Sequence, residues 1–283
     1  MILKILGSAA PGGFPQWNCA CRNCEGLRSG SLPANPRTQS QLAFSPLEGI
    51  WFLIGASPDL RAQILATREL SPTPDAPTPI AGLFLPCSDL EAVEGLLQLV
   101  EAGSSFLFAT PSVQRILKTE NRLFQTFGGS NPQVHWQPLS PRRRIGCHLS
   151  ENPGDAPTFF YTCVPLGGSY PDNVNEETKH HCPAEEARMA FVLEQADKKL
   201  FVAPRIVGGN SEWLKMAESA DVALLDGALW RDLPLVSPEA SGNRRILMHI
   251  HHESALLDQK SEEHRAAVEA GFEIAYDGME IRL

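Results

Sequence analysis

Residues 7–24 read GSAAPGGFPQWNCACRNC, and three thiols fall close together in it: Cys19, Cys21 and Cys24. Pro11, Gly12, Gly13 and Pro15 mark the stretch as a loop. Such a loop can fold back and present its sulfurs at about 2.3 Å from one soft cation. Tetrahedral zinc takes four donors, and no further Cys or His lies nearby, so the fourth must come from far along the chain. With every position filled by protein, the site would be structural and would pin the loop to a remote strand. The richest remote source is His249-Ile250-His251-His252. If 246–250 is a strand, His249 and His251 share one face, and His252 lies on the other or past the end. The spacing leaves the choice among them open.

Working outward, 283 residues that are 43% hydrophobic can bury a full core in one large domain or two smaller ones. A net charge of -9 argues against a general binder of nucleic-acid backbones, which needs an excess of Lys and Arg. The one basic cluster, residues 140–144, reads as a solvated loop. Gly and Pro together make up about 16% of the chain against a usual ~12%, which points to many turns and short strands. Seven cysteines, an odd number with three clustered, do not form the even, dispersed framework of a small secreted domain. The apolar start Ile2–Leu6 is broken at Gly7, too soon for a signal peptide. No stretch reaches the ~18 uncharged apolar residues of a membrane span. The expectation is a cytoplasmic protein with reduced thiols and neither nucleic-acid nor membrane partners.

Short apolar runs predict strands at 2–6, 41–44, 50–54, 80–85, 106–109, 134–137, 145–149, 159–164, 189–194, 199–202, 222–225 and 246–250. Ser57-Pro58-Asp59 predicts a helix start, with Ser57 as the cap. Apolar residues at helical spacing predict helices over 89–100, 112–118 and 261–270. Phe272–Tyr276 and Met279–Arg282 read as a closing hairpin around Asp277-Gly278. Adjacent runs of strands with few helices between them fit two mainly antiparallel sheets with helices outside.

The segments GSAAPGGFPQWNCACRNC (7–24), RTQSQLAFS (37–45), GASPDLRAQI (55–64), LLDGALW (224–230) and AAVEAGFEIAYDGMEI (266–281) resemble the pyrroloquinoline quinone (PQQ) biosynthesis protein B family of the metallo-β-lactamase fold superfamily. The resemblance runs the length of the chain and is densest in the first 67 and last 60 residues. It implies an α/β (α+β) four-layer αββα sandwich in one domain, 1–283, with a zinc-binding loop at 7–29. It implies a structural zinc on Cys19, Cys21 and Cys24. In a related phosphodiesterase of the carbon–phosphorus lyase pathway the fourth ligand is a His in His-Ile-Ser-His, and the matching residue here is His249.

The resemblance also locates a second site. Superfamily enzymes carry His-x-His-x-Asp-His between a strand and a helix, where this chain has Cys87-Ser88-Asp89-Leu90-Glu91-Ala92. Asp226 matches the bridging aspartate and His252 a metal-ligand histidine. Gly168 stands where the central histidine would be, and Gly55 where an aspartate is usual. The family's Gly-His-Met segment has no counterpart between Trp230 and Met248. The candidate cleft ligands are thus Cys87, Asp89, Glu91, Asp226 and His252, for one iron, zinc or manganese. His180-His181-Cys182 is a further candidate, and Cys147 and Cys163 have no assigned task. By resemblance the activity is that of an iron-dependent oxygenase hydroxylating the tyrosine of a Glu-Tyr-derived PQQ precursor. Ala92 cannot ligate a metal, which brings in two alternatives: a non-catalytic accessory or carrier of PQQ or its precursor, and a metal-dependent hydrolase or phosphodiesterase. No catalytic residue is assigned. The expected partner is a small-molecule or peptide-derived precursor, and a homodimer is compatible with the chain.

Overall fold

A computed structural model describes residues 1–74, 78–102, 105–120, 134–150, 152, 154–171, 174–203, 205–206, 212–232 and 243–283. Two seven-stranded sheets face each other. The first holds β1 (Ile2–Gly7), β2 (Gln41–Leu47), β3 (Ile50–Ile54), β4 (Ile80–Phe84), β5 (Ser105–Ala109), β6 (Val134–Pro138) and β14 (Met279–Arg282), in the order β14-β1-β2-β3-β4-β5-β6. The second holds β7 (Arg144–Cys147), β8 (Phe159–Pro165), β9 (Met189–Gln195), β10 (Lys198–Ala203), β11 (Val222–Asp226), β12 (Arg244–Met248) and β13 (Phe272–Ile274), in the order β13-β12-β11-β10-β9-β8-β7. The expectation of mainly antiparallel sheets holds for half of each. Antiparallel pairing joins β14, β1, β2 and β3, while β3 to β6 pair in parallel. Likewise β7 to β10 are antiparallel and β10 to β13 parallel.

The strands alternate between two apolar faces, as burial on both sides of a sheet demands. Leu42 and Phe44 of β2 point between the sheets, and Ala43 points to the helices outside. Val222 and Leu224 of β11 do the same against Ala223 and Leu225. Between the sheets lies an aromatic layer. Phe84 stacks on Phe108 with centroids 4.3 Å apart and meets Tyr161 and Phe191 edge-on. On the outside of the first sheet pack α2 (Leu60–Ala66), α3 (Leu90–Val93) and α4 (Pro111–Thr119). On the outside of the second pack α1 (Arg22–Ser29), α6 (Glu212–Glu218) and α7 (Glu262–Glu269), while α5 (Glu176–His180) lies in the loop before β9. This is the αββα sandwich. Among the described residues no helix is long and apolar enough to cross a membrane.

Three local expectations change. Ser57 does not cap α2, because its hydroxyl donates to Gln63 Oε1 at 2.7 Å. The helix predicted over 89–100 is a short α3 followed by 3₁₀ turns over Glu94–Ala102. Gly95 fixes that shape: a Cβ there would lie 2.3 Å from Ser57 O, so only glycine lets the turn press against residues 56–57. The closing segments are not a hairpin. β13 pairs with β12 in the second sheet and β14 with β1 in the first, so the chain crosses the sandwich at 275–278.

Asp277 holds that crossing. It accepts from Ser8 N at 2.9 Å, Ser8 Oγ at 2.8 Å, Thr38 N at 2.6 Å and Thr38 Oγ1 at 2.8 Å. Removing it leaves two backbone amides without their partner, so Asp277→Ala is expected to cost about 2 kcal/mol in urea unfolding. A loss below ~0.5 kcal/mol would show that water replaces those bonds.

Candidate functional site

The thiol loop folds as a short helix start. Cys21 is the N-cap of α1, and its sulfur accepts from Cys24 N at 3.5 Å. Cys19 Sγ accepts from Cys21 N at 3.3 Å and Cys24 Sγ from Gln16 N at 3.4 Å. Each sulfur therefore faces a backbone donor, which stabilises a thiolate. Burial works against ionisation of Cys21, but the bonds from Cys24 and its neighbours outweigh it and set the thiol below its usual value. At Cys24 burial wins, and with Cys21 beside it the thiol is pushed up to about 11. A cation among the sulfurs would reverse that balance.

The fourth group at this cluster is His252. Its Nδ1 lies 3.5 Å from Cys21 Sγ and 3.6 Å from Cys24 Sγ, and the ligand atoms of Cys19, Cys21, Cys24 and His252 all lie within 4.8 Å of one another. Three sulfurs and one imidazole at this separation fit tetrahedral zinc, with no position left for a substrate. The assignment of His249 to this cluster, and of His252 to the cleft, is corrected: the two histidines exchange places. The reason is backbone conformation. β12 ends at Met248, and His249 has φ 55, in the left-handed region. Strand alternation stops there, so the face-sharing rule cannot be carried on to 252. Ile250 is held by Ser8 and Ala10 of the N-terminal loop at 3.0 Å each, which aims the following turn at the thiols. Asn23, which the sequence reading did not single out, closes the arrangement. It is buried, and its Nδ2 donates to His252 O at 3.1 Å and Ser254 O at 3.0 Å. Its position inside the thiol motif was the available signal.

The cleft opens where β3 and β12 end and β9 begins. It has a volume of about 40 Å³, and Cys87, Glu91, Ala92, Arg188, Arg205 and His249 are among its walls. Asp89 and Glu91, set at the start of α3, both face guanidinium groups. Arg188 grips Asp89 with Nη1 on Oδ2 and with Nη2 on Oδ1 at 3.1 Å. Arg205 Nη1 bridges Asp89 Oδ2, at 2.9 Å, and Glu91 Oε1. Glu91 Oε2 meets His249 Nε2 at 3.2 Å, and His249 Nδ1 stands 3.6 Å from Asp226 Oδ1. Asp226 accepts from Ala228 N at 2.9 Å and Ile206 N at 3.1 Å.

These residues do not fit a divalent metal as they stand. Every carboxylate oxygen of Asp89, Glu91 and Asp226 already faces an N–H donor. Burial, with Asp89 beside it, pushes the Cys87 thiol far above the usual range, and it donates to Asp89 Oδ2 at 3.3 Å. Ala92 offers no donor, and His252 is elsewhere. Among the described residues, the thiol cluster is the one group of three or more potential ligands gathered for a metal. His180 and His181 are exposed at the end of α5, outside the cleft, and Cys182 is buried against Ile116 and Tyr170. The basic loop is taken up by ion pairs of Arg142 with Glu185 and Glu212 and of Arg144 with Glu194. The sequence reading missed both arginines of the cleft. Arg188 and Arg205 lie outside every motif, and only the surplus of unpaired carboxylates at the site hinted at them.

His249 supplies a third cation. Burial opposes its charge, but Asp226 and Glu91 outweigh burial and raise its pKa to about 9. A folded value above the unfolded one of about 6.5 gives stability that is complete below that pH and is lost as pH rises toward the folded value. Stability is therefore expected to fall by about 2 kcal/mol between pH 6.5 and 9, and His249→Gln to remove that limb. A His249→Gln profile parallel to wild type in denaturant titrations across this range would contradict the assignment.

A family model described as the beta-lactamase superfamily domain matches residues 50–269. Coenzyme PQQ synthesis protein B of Azotobacter vinelandii is 33% identical over 309 residues, covering 100% of this chain and 100% of the relative. Its counterpart from Stutzerimonas stutzeri is 34% identical over 314 residues, again covering all of both. Among solved structures, the Zn(2+)-bound PqqB from Methylobacterium extorquens superposes with a TM-score of 0.81 at 27% identity, covering 100% of both chains. A diphosphatase of the PhnP family shares the fold, with a TM-score of 0.64 at 17% identity over 100% of this chain and 97% of that one.

Proposed function

The chain belongs to the coenzyme PQQ synthesis protein B family of the β-lactamase superfamily, and from that premise we propose that it serves PQQ synthesis as a zinc-braced binding protein for PQQ or its precursor. The observation that carries this reading is the pairing of the cleft carboxylates with Arg188 and Arg205. Metal-dependent hydroxylation or hydrolysis needs open coordination positions on a cation held by free donors. Here the cations are guanidinium groups, which hold oxyanions but accept no ligand electrons. The thiol cluster with His252 would keep one zinc, which braces the N-terminal loop against the turn after β12.

A second reading, a single-iron oxygenase, is favoured by one observation. His249, Glu91 and Asp226 converge, and Arg205, 37% exposed, is the more accessible of the two arginines. If Arg205 left, Glu91 would be freed at the Nε2 edge of His249, with Asp226 at its Nδ1 edge. The two readings separate in one assay. Zinc-loaded protein is titrated with PQQ by tryptophan fluorescence, then supplied with Fe(II), dioxygen and a Glu-Tyr-derived precursor. Saturable binding of PQQ at one per chain without hydroxylated product is the expected result. Iron-dependent oxygen uptake with formation of that product would establish the oxygenase instead.

A further inference from the structure

Arg188 is built into the floor of the cleft. Its backbone bridges Cys87, Leu166 N donates to its carbonyl at 3.0 Å, and Met189 N next to it donates to Pro86 O at 2.8 Å. Its side chain is buried, and its Nε is enclosed with no hydrogen-bond partner among the described residues. A buried donor left unmet is costly, and the Arg188 Nη atoms, both on Asp89, are the part of its fork that faces the cleft carboxylates. Arg205 stands half-exposed at the mouth and, among the described residues, bonds only through Nη1. Guanidinium forks match a carboxylate in shape and charge.

We propose that the cleft is a metal-free carboxylate site, in which Arg188 and Arg205 take the place of the superfamily's metal ions and grip one carboxylate of an aromatic or peptide-derived ligand. A space of about 40 Å³ holds a few water molecules or one carboxylate group, not a ring system. The ligand therefore inserts one acid group and leaves its body outside, while the buried Leu42, Ile54 and Met248 close the inner end of the cleft. Charge balance permits this. Glu91 has a second partner in His249, so an incoming carboxylate can replace it on Arg205 without stranding it. The inference deepens the binding role proposed above and depends on the same cleft.

The test is calorimetric titration of the zinc-loaded full chain with benzoate and with benzamide, its uncharged near-isostere. Benzoate is expected to bind at least tenfold more tightly than benzamide. Arg205→Gln, at a half-exposed position, is expected to weaken benzoate at least tenfold with at most a small loss of thermal stability. Arg188→Lys keeps the charge but loses the fork and is expected to weaken benzoate by a similar factor. If that variant fails to fold, Arg205→Gln decides alone. Equal affinity for the two probes, or benzoate binding indifferent to Arg205→Gln, overturns the proposal. PQQ is titrated in parallel. Tight PQQ binding that ignores Arg205→Gln removes the carboxylate site and leaves the binding role. Benzoate held through Arg205 with no PQQ binding keeps the site and removes that role.

Discussion

His252→Ala is expected to take the zinc content from one per chain to near zero and to destabilise the fold by at least about 4 kcal/mol, the effect of losing a ligand present at a thousand times its Kd. The magnitude follows from what the metal ties together. The cluster joins residues 19–24 to residue 252, two segments far apart in sequence. Without a cation, three sulfurs and an imidazole crowd within 4.8 Å of one another, and the buried Cys24 thiol resists ionisation. Cys24→Ser should behave as His252→Ala does. His249→Ala should keep its zinc, because His249 faces Glu91 and Asp226 instead. Metal analysis with denaturant unfolding checks all three. Zinc lost in His249→Ala but kept in His252→Ala would restore the assignment made from sequence alone.

Arg188→Ala is expected to cost about 3–5 kcal/mol, because it strands a buried carboxylate. Asp89 and Arg188 are 8% and 7% exposed, so little water can take the lost partner's place. Burial works against ionisation of Asp89, but the bond and charge of Arg188 and the charge of Arg205 prevail and set its pKa below the usual value. A depressed carboxyl gives stability that is present above the unfolded pKa of about 3.9 and is lost as pH falls through the folded value. The wild type should therefore show an acid limb below about pH 4, and Arg188→Ala should show a shallower one. Arg205→Ala, removing a half-exposed partner, should cost no more than about 1 kcal/mol. Guanidinium denaturation at pH 7 and pH 3.5 measures both effects. Equal losses for the two arginines would mean that burial does not set the strength of this pair.

Much of this was legible in the sequence. Strand alternation placed the two apolar faces, because a strand buried on both sides must be apolar throughout, as Val222–Leu225 is. The thiol cluster was legible because its three ligands are local. The fourth ligand was not, since it depends on where β12 ends, and the positive φ of His249 is a tertiary outcome that residue types do not announce. The crossing of residues 275–278 was missed for a similar reason. Asp277-Gly278 does make a tight turn, but Asp277 spends its carboxylate on Ser8 and Thr38, more than two hundred residues away. Residues 87–92 and 226 read as a cleft motif, and of these Cys87, Glu91 and Ala92 line the cleft. Its chemistry was not legible, because the cations that answer Asp89 and Glu91 come from Arg188 and Arg205, about a hundred residues on.

On this reading the chain keeps a zinc in its N-terminal loop and uses its own arginines where the superfamily holds cleft metals. The most direct measurement is metal stoichiometry after anaerobic incubation with excess Fe(II) and Zn(II) and removal of free metal, for wild type, Asp226→Ala and His252→Ala. One zinc and no iron are expected in wild type and in Asp226→Ala, and no bound metal in His252→Ala. A second metal in wild type that disappears in Asp226→Ala would contradict this reading.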